Sequence, residues 1–339
     1  MQNKAVVAVA GANKTQGIID DALSDYSRRV LITTFTVENL KQIERRICDT
    51  AGYLPPHIEL LQWYTFLLRD FVKPYQYDVF KQANLVRGLN FFGKRPYVKK
   101  SVVSRYYIDR NSDVYRDELA ALAIATAEAS GGLLTHRLEQ RFDKILIDEM
   151  QDLSGWDFDV LELLFAADLS VDLVGDPRQQ TYLTTQSNKN KGLKQLGWVD
   201  WLQQREDICE IETRSVSARC GPGICEFASG LYPELDPLKP ETDWNTGHDG
   251  VILVHRDEVA AYVAKHNPTA LRYDSRSDTS GVSAINIGIA KGSTYDRVLL
   301  FPAGTMRKHV VDGKTLAAGT RAKLYVAITR ARYSAAIVV

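Results

Sequence analysis

Short apolar runs bounded by turn residues recur along this chain, and segments with helical spacing lie between many of them. The apolar runs are 5–10, 30–35, 145–147, 171–174, 251–254, 284–289, 298–301 and 335–339, and the helical segments include 37–47, 158–165 and 223–231. Short buried strands that alternate with helices are typical of parallel α/β sheets. Since 339 residues have room for roughly two domains of about 150 residues each, we expect a two-domain α/β protein.

Composition and charge exclude several classes of protein. Hydrophobic residues make up 45% of the chain and charged residues 25%, which is typical of globular proteins and excludes a disordered or fibrous one. Lys and Arg together number 42, as do Asp and Glu, so a uniformly basic protein is excluded whereas a basic groove is not. Four sparse cysteines and the lack of a membrane-spanning or signal sequence predict a cytoplasmic protein with no membrane partner.

Residues 81–110 are strongly basic although the whole chain is neutral. They include eight Lys or Arg residues and a single acid, Asp109, with aromatic residues interleaved. Cations that bind phosphates, together with aromatic faces that stack on bases, are typical of a single-strand-binding surface. A solvated basic face whose aromatic side chains turn into the core explains the same composition. The residues of this stretch alone leave both interpretations open.

The first apolar run leads into a loop that has the residues phosphate binding needs. The sequence reads AVAGANKT, in which the small residues Gly11 and Ala12 allow backbone N–H groups to surround phosphates. Lys14 is suited to the β- and γ-phosphate oxygens, and the Thr15 hydroxyl to Mg²⁺. Asn13 stands where the general pattern has Gly. Alone, this segment predicts either a phosphate loop or an ordinary turn after a strand.

The apolar run 145–147 ends in the acidic sequence DEMQD. Asp148, at the carboxyl end of a strand, is suited to hold Mg²⁺ through water, and Glu149 to polarise an attacking water. An acidic loop that caps a helix is the alternative for this segment alone. Its combination with the Lys14-Thr15 pair favours a nucleotide-hydrolysing site.

A third run, 171–174, leads into the polar loop GDPRQQTY. Gln179 is suited to sense a γ-phosphate through a hydrogen bond, and Tyr182 offers a stacking face. The three elements resemble those of superfamily 1 helicases of the UvrD/Rep type. The phosphate loop of that family commonly reads A-x-A-G-x-G-K-T, and its DExQD and GDxxQ-x-x-Y elements match the acidic and polar loops of this chain.

Further segments follow the order of the same family in the first half of the chain. Phe35 and Thr36, with Arg46 further on, resemble the TFTxxAAxxMxxRI segment after the second strand. Trp63 and Tyr64 occupy the first Phe and the His positions of the TFHSF segment. The resemblance implies that these aromatic positions contact single-stranded DNA.

The second half of the chain continues this order. Ser-Ala-Arg219 resembles the NYRS segment, which makes Arg219 the phosphate-contacting arginine, with Arg214 as a rival. Lys291 and Gly292 resemble the SAKGLEF segment. The sequence YVAITRAR matches the YVAxTRAR segment closely and places Arg330 as the arginine finger.

The resemblance implies an α/β fold with two RecA-like parallel-sheet domains of the P-loop NTPase class. The first domain, 1A, would comprise 1–72 and 139–204, the second, 2A, would comprise 205–339, and 73–138 would form a small basic and aromatic insertion like 1B. ATP and Mg²⁺ would bind where the two domains meet, beyond the carboxyl ends of the strands.

The resemblance also assigns roles to residues. The implied catalytic residues are Lys14, Glu149, Gln179, Arg219 and Arg330. The implied nucleotide-binding residues are Gly11, Ala12, Asn13, Lys14, Thr15, Arg46 and Gly292, with Thr15 and Asp148 on the Mg²⁺. The implied nucleic-acid contacts are Phe35, Thr36, Trp63, Tyr64, Tyr182 and Lys291.

Three hypotheses for function follow from this resemblance. The first is an ATP-dependent translocase or helicase that acts on single-stranded DNA or a tailed duplex, in the 3′→5′ direction by family resemblance. The second is a DNA-stimulated ATPase that drives a partner, such as a nuclease or a repair or defence factor, without unwinding by itself. It is favoured because only about 30 residues separate 251–254 from 284–289, too few for the large second-domain insertion of the family. The third is a nucleotide-gated binding module with little turnover, motivated by Asn13.

Overall fold

The computed structural model describes residues 2–339, and the chain divides into two compact units. Unit 1 contains Lys14–Gly175, Tyr182–Glu212 and the described residues before Val7. Unit 2 contains Thr213–Val339 and two short segments that interrupt the sequence of unit 1, Val7–Asn13 and Asp176–Thr181. The phosphate loop and the loop with Gln179 therefore contribute residues to unit 2.

The elements from the start of the chain to the end of unit 1 alternate as the sequence predicts. The strands are β1 Asn3–Ala8, β2 Val30–Thr34, β3 Ile58–Gln62, β4 Leu89–Asn90, β5 Val114–Tyr115, β6 Lys144–Ile147, β7 Ser170–Gly175 and β8 Cys209–Arg214. The helices are α1 Lys14–Leu23, α2 Val37–Ala51, α3 Trp63–Phe66, α4 Lys73–Phe80, α5 Val103–Tyr107, α6 Leu119–Ala129, α7 Leu133–Arg141, α8 Asp157–Phe165 and α9 Gly197–Gln203.

The first sheet has six strands in the order β3-β2-β6-β7-β1-β8. Strand β2 pairs in parallel with β3 and β6, and β6 pairs in parallel with β7. Every residue of β2 is buried, which explains why its sequence, VLITT, is a continuous rather than an alternating apolar run. The carboxyl ends of β6 and β7 meet at one edge of the sheet and lead into the acidic and polar loops.

Several smaller elements lie between β3 and β6. A π-helical turn, Leu67–Val72, joins α3 to α4. Helix α6 buries seven of its eleven residues, and β4 and β5 form a short parallel pair. The basic stretch, residues 81–110, lies mostly in the irregular chain around β4 and α5.

The remaining elements of unit 2, which follow β8, are again strands and helices. The strands are β9 Val216–Ser217, β10 Lys239–Pro240, β11 Gly250–Val254, β12 Thr269–Arg272, β13 Ile285–Asn286, β14 Tyr295–Phe301 and β15 Ala331–Val338. The helices are α10 Pro222–Gly230, α11 Val259–His266, α12 Gly304–Asp312 and α13 Ala318–Ile328.

The second sheet has five strands in the order β11-β15-β14-β12-β13, and all of its neighbouring strands are parallel. Its core includes Val254, Leu299 and Phe301. The predicted α/β fold class with parallel sheets is therefore confirmed. The run 284–289 forms only the two-residue edge strand β13, whereas the last run belongs to a longer strand, β15. Within residues 2–339, no helix is long and apolar enough to span a lipid bilayer.

Candidate nucleotide and nucleic-acid sites

The phosphate loop follows β1 and ends where α1 begins at Lys14. Gly11 has a φ of +81°, and a Cβ at this position would clash with the Ser217 hydroxyl and lie 2.7 Å from the Cβ of Arg219. Only glycine fits there, because both the backbone conformation and the space exclude a side chain. Asn13 has a φ of +51°. Asn tolerates this left-handed conformation better than most residues, which explains its presence where the family pattern has Gly.

Thr15 and Asp148, the two residues predicted to hold Mg²⁺, lie together in unit 1. The Thr15 hydroxyl donates to Oδ2 of Asp148 at 3.0 Å. Burial, and secondly the charge of Glu149, raise the pKa of the Asp148 carboxyl to about 6. A hydroxyl and a single carboxylate beside a phosphate loop fit Mg²⁺, which is usually held by one or two carboxylates and substrate phosphates. Within residues 2–339, no group of three His, Cys, Asp or Glu side chains is placed to hold a metal.

Glu149 lies in a strained backbone conformation, with a φ of +60°. Left-handed residues other than glycine are costly, and they cluster at functional sites. The side-chain amide of Asn39 donates to Oε1 of Glu149 at 3.4 Å, and the amide of Gln151 donates to Oε2. Two amides therefore orient this carboxylate, which remains partly exposed and is suited to polarise water.

Arg46 reaches the first turn of α1 from α2. Its guanidinium donates to the side-chain oxygen of Gln16, the residue after Thr15. Lys14 and Arg46 are both partly buried. The structure thus places Arg46 beside the first turn of α1.

Arg330 lies inside unit 2, with 2% of its surface exposed. Its Nε donates to the carbonyl of Val326 at 3.2 Å, and its Nη1 donates to the carbonyl of Ser293 at 3.3 Å. Its Nη2 donates to Oε1 of Gln179 at 3.3 Å. Two residues predicted as catalytic, 151 positions apart in sequence, are therefore in direct contact.

A chain of hydrogen bonds continues from Gln179 to the phosphate loop. The amide of Gln179 donates to Oδ2 of Asp176 at 2.8 Å, and the hydroxyl of Tyr325 donates to the same oxygen at 3.0 Å. The backbone N–H of Ala10 in turn donates to the Tyr325 hydroxyl at 3.2 Å. Burial holds the pKa of Tyr325 well above its ordinary value, so its hydroxyl keeps its proton. We call the residues Ala10, Tyr325, Asp176, Gln179 and Arg330 the relay.

Arg219 and Arg214 were rivals for the phosphate-contacting arginine. The Arg219 guanidinium donates to the carbonyl of Thr329 at 3.1 Å, next to Arg330, and its backbone lies against Gly11. Arg214 meets the loop through its backbone carbonyl, which accepts from Val9 at 3.0 Å. This placement favours Arg219.

Lys291 and Gly292 lie in the loop before β14. Gly292 is exposed and has a φ of +88°. Lys291 departs from its predicted role as a nucleic-acid contact, because 4% of its surface is exposed. In this conformation the Lys291 side chain is buried and is not accessible to a DNA strand.

Four aromatic rings of unit 1 form a row, which we call the aromatic row. The ring centroids of Tyr182 and Phe35 lie 6.3 Å apart, those of Phe35 and Tyr64 lie 5.4 Å apart, and those of Tyr64 and Phe91 lie 5.8 Å apart. Tyr182 is 40% exposed and Phe91 is 50% exposed. The structure thus brings three of the predicted nucleic-acid residues together and adds Phe91, which was seen only as one aromatic residue of the basic stretch.

Trp63 departs from its predicted contact with DNA. It is 1% exposed, and its Nε1 donates to Oδ1 of Asp157 at 2.8 Å. The other carboxylate oxygen of Asp157 accepts from the Ser154 backbone at 3.1 Å and from the Thr184 hydroxyl. The carbonyl of Thr184 accepts from the Tyr64 hydroxyl. Trp63 therefore anchors the segment that carries Tyr64 and has no face open to a base.

Thr36 also has a structural use. Its side chain accepts from the backbone N–H of Asn39 at 3.1 Å and caps the N-terminus of α2. The hydroxyl of Thr36 is thereby engaged, although the residue remains partly exposed beside Phe35.

Comparisons with known proteins agree with these features. Residues 105–189 match the family model for the UvrD/REP helicase N-terminal domain. Similar solved structures include the arterivirus nonstructural protein 10 helicase alone, with a TM-score of 0.51 and 14% identity, and in a complex with DNA, with a TM-score of 0.50 and 13% identity. No curated protein sequence matches the chain.

The structural matches cover 99% of this chain but 59% and 61% of the arterivirus chains, so it spans about three fifths of their length. At this identity the likeness shows the fold, that of a helicase with two RecA-like domains. The matched family segment includes the whole of the DEMQD loop and the whole of the GDPRQQTY loop. Residues 105–189 are therefore similar to a UvrD/REP helicase N-terminal domain, and the chain shares the fold of the arterivirus helicases.

Proposed function

We propose that this chain hydrolyses ATP with Mg²⁺ and uses the cycle to move in the 3′→5′ direction along single-stranded DNA or into a tailed duplex. The observation that carries the proposal is the relay. It connects the residues suited to sense the γ-phosphate and to act as arginine finger, Gln179 and Arg330, to the backbone of the phosphate loop. The relay joins three segments of unit 2 near Gly11, where a side chain would clash with Ser217.

Each part of the chemistry has a residue suited to it. The Lys14 ammonium binds the terminal phosphate oxygens, and Thr15 with Asp148 would hold Mg²⁺. Mg²⁺, when bound, neutralises phosphate charge. Glu149 orients and polarises the attacking water, because Asn39 and Gln151 fix its carboxylate.

The arginines act on charge that develops during the reaction. Arg330 is held by two backbone carbonyls and Gln179, so its planar guanidinium is oriented before nucleotide binds. Arg219 is fixed by the carbonyl of Thr329 beside it. An oriented guanidinium stabilises transition-state charge at little cost in reorganisation. Arg46, Gly292, Ala12 and Asn13 complete the proposed nucleotide contacts.

We propose that the aromatic row is the base-stacking part of the DNA site. Phe35 and the exposed ring of Tyr182 offer π-faces, which every base can stack on without sequence preference. The basic stretch supplies cations for phosphates. In domain terms, 1–72 with 139–204 acts as 1A, 73–138 as 1B and 205–339 as 2A.

A second candidate is a DNA-stimulated ATPase that does not unwind by itself and drives a protein partner such as a nuclease or a repair or defence factor. One observation favours it. Only residues 273–284 separate β12 from β13, so the second sheet carries no large inserted domain at that point.

ATPase and strand-displacement assays on the same preparation test the proposal. We expect ATP turnover that depends on Mg²⁺ and rises with oligothymidylate, and displacement from a duplex with a 3′ tail but not with a 5′ tail. Stimulated turnover without displacement would favour the second candidate. A lack of turnover, with binding of DNA controlled by nucleotide, would contradict both and favour a nucleotide-gated binding module.

A further inference from the structure

Unit 1 contains a cavity of about 340 Å³ at the Phe91 end of the aromatic row. This volume lies within the range of small-ligand sites. The rings of Tyr64 and Phe91 and the side chains of Leu68 and Leu89 provide apolar walls, and Gln62 and Lys73 provide polar groups. The cavity thus combines a stacking surface, an amide and a cation.

Elements distant in sequence build this cavity and hold it in place. Gln62 ends β3, Leu68 belongs to the π-helical turn and Leu89 begins β4. Asp70, in the middle of that turn, is fully buried and forms ion pairs with three arginines, Arg69, Arg137 and Arg141. π-Helical turns are rare, and they occur frequently at functional sites. The arginine cluster fixes such a turn in the cavity wall.

The chemistry of the lining resembles what a nucleotide requires. The Phe91 ring meets Tyr64 edge-on, at 70°, and is half exposed, which leaves its faces available for stacking. The side-chain amide of Gln62 makes no capping hydrogen bond with α3, so it is available to a base edge. Lys73 is exposed at the start of α4 and is suited to a phosphate.

We propose that this cavity takes one nucleobase of the bound single strand, which stacks on Phe91 while Lys73 contacts the adjoining phosphate. The inference rests on the proposed function, since its ligand is the same DNA strand. It extends the base-stacking surface beyond Phe35 and Tyr182 into the insertion. Stacking of this kind tolerates any base, so the site adds affinity and register rather than sequence specificity.

Binding of oligothymidylate that carries a single 2-aminopurine, moved along the strand, tests the inference. With the wild-type protein one position of the strand shows stacking-dependent quenching. Phe91→Ala abolishes this quenching and weakens binding roughly 5- to 150-fold, the range for loss of one stacked base. Phe91→Tyr keeps both, which excludes general misfolding as the cause.

Two controls make the test specific. Tyr53 is an aromatic residue with a similar exposure of 54% that does not line this cavity, so Tyr53→Ala leaves affinity and quenching unchanged. Lys73→Ala reduces the slope of log affinity against log salt concentration by about 0.7, the value for one phosphate of a single strand. Wild-type and Phe91→Ala affinities that agree within twofold would overturn the inference alone. A wild-type protein that does not bind oligothymidylate would overturn the proposed function with it.

Discussion

The guanidinium of Arg330 donates to Oε1 of Gln179 at 3.3 Å inside unit 2. The same Gln179 donates to Asp176, which also accepts from Tyr325, the residue bound by the backbone of Ala10. A shift of the Ala10 backbone would therefore be transmitted through these hydrogen bonds to Arg330, the residue proposed to stabilise the transition state. Under the proposed function, these hydrogen bonds are a physical means by which a nucleotide at the phosphate loop would affect Arg330.

Tyr325→Phe tests whether the relay stabilises unit 2. Removal of the hydroxyl takes away the acceptor of the buried N–H of Ala10. It also removes one of the hydrogen bonds that Oδ2 of Asp176 accepts. We expect a loss of about 1–3 kcal/mol in the free energy of unfolding, measured by urea denaturation. Tyr333→Phe is the control. The Tyr333 ring packs against Trp244, and phenylalanine keeps that ring, so this substitution should change the free energy of unfolding by less than about 0.5 kcal/mol. A loss of unfolding free energy for Tyr325→Phe that is no larger than the loss for Tyr333→Phe would show that the Tyr325 hydroxyl, and with it the relay, contributes nothing to stability.

The sequence predicted the strands of the fold best where both faces are buried. The run 30–35 became β2, which is buried at every position. Strand β3 was missed because only its first residue is fully buried, so its sequence, IELLQ, has no clear period. Strand β12, with four residues, is too short to stand out from its polar surroundings.

The candidate site was predicted where one segment carries the whole chemistry, as in the phosphate loop. It was not predicted where segments distant in sequence meet. The partner of Trp63, Asp157, lies 94 residues away, so burial of the indole has no local signal. Phe91 is one of several aromatic residues in a basic stretch, and only its 5.8 Å contact with Tyr64 distinguishes it.

The stability of the protein should respond to the ionisation of Asp157. Burial raises the pKa of this carboxyl from 3.8 to about 6, so the folded state binds the proton more tightly than the unfolded state does. The resulting stability is fully present below pH 3.8 and is lost as the pH rises to about 6. Such a shift corresponds to roughly 3 kcal/mol.

Unfolding free energies of the wild type and Asp157→Asn across this pH range measure the effect. The amide does not titrate, so the advantage of the wild type over the variant should shrink between about pH 4 and pH 6 and then stay constant. A difference that is independent of pH would mean that Asp157 is not the titrating group.

Glu149→Gln tests the proposed base. The amide keeps the shape of the side chain but polarises water poorly, so ATP hydrolysis should be abolished while ATP binding is retained. Steady-state turnover and nucleotide-binding titration check the two parts. Glu44→Gln, an exposed change on α2, is the matched control and should leave both unchanged. Turnover of Glu149→Gln within about threefold of the wild type would exclude this residue as the base.

The ATP turnover of Arg330→Ala, measured with nucleotide affinity in the same preparation, tests the nucleotide site most directly. An arginine finger contributes roughly 10³–10⁵ in rate, so we expect a loss of that order with a much smaller change in affinity. Arg330→Lys should restore little, because an ammonium cannot replace the planar guanidinium. Arg332→Ala, which removes an exposed ion pair with Asp296, should be milder. Equal losses at both arginines, or a loss confined to nucleotide binding, would contradict the assignment of Arg330 as the finger.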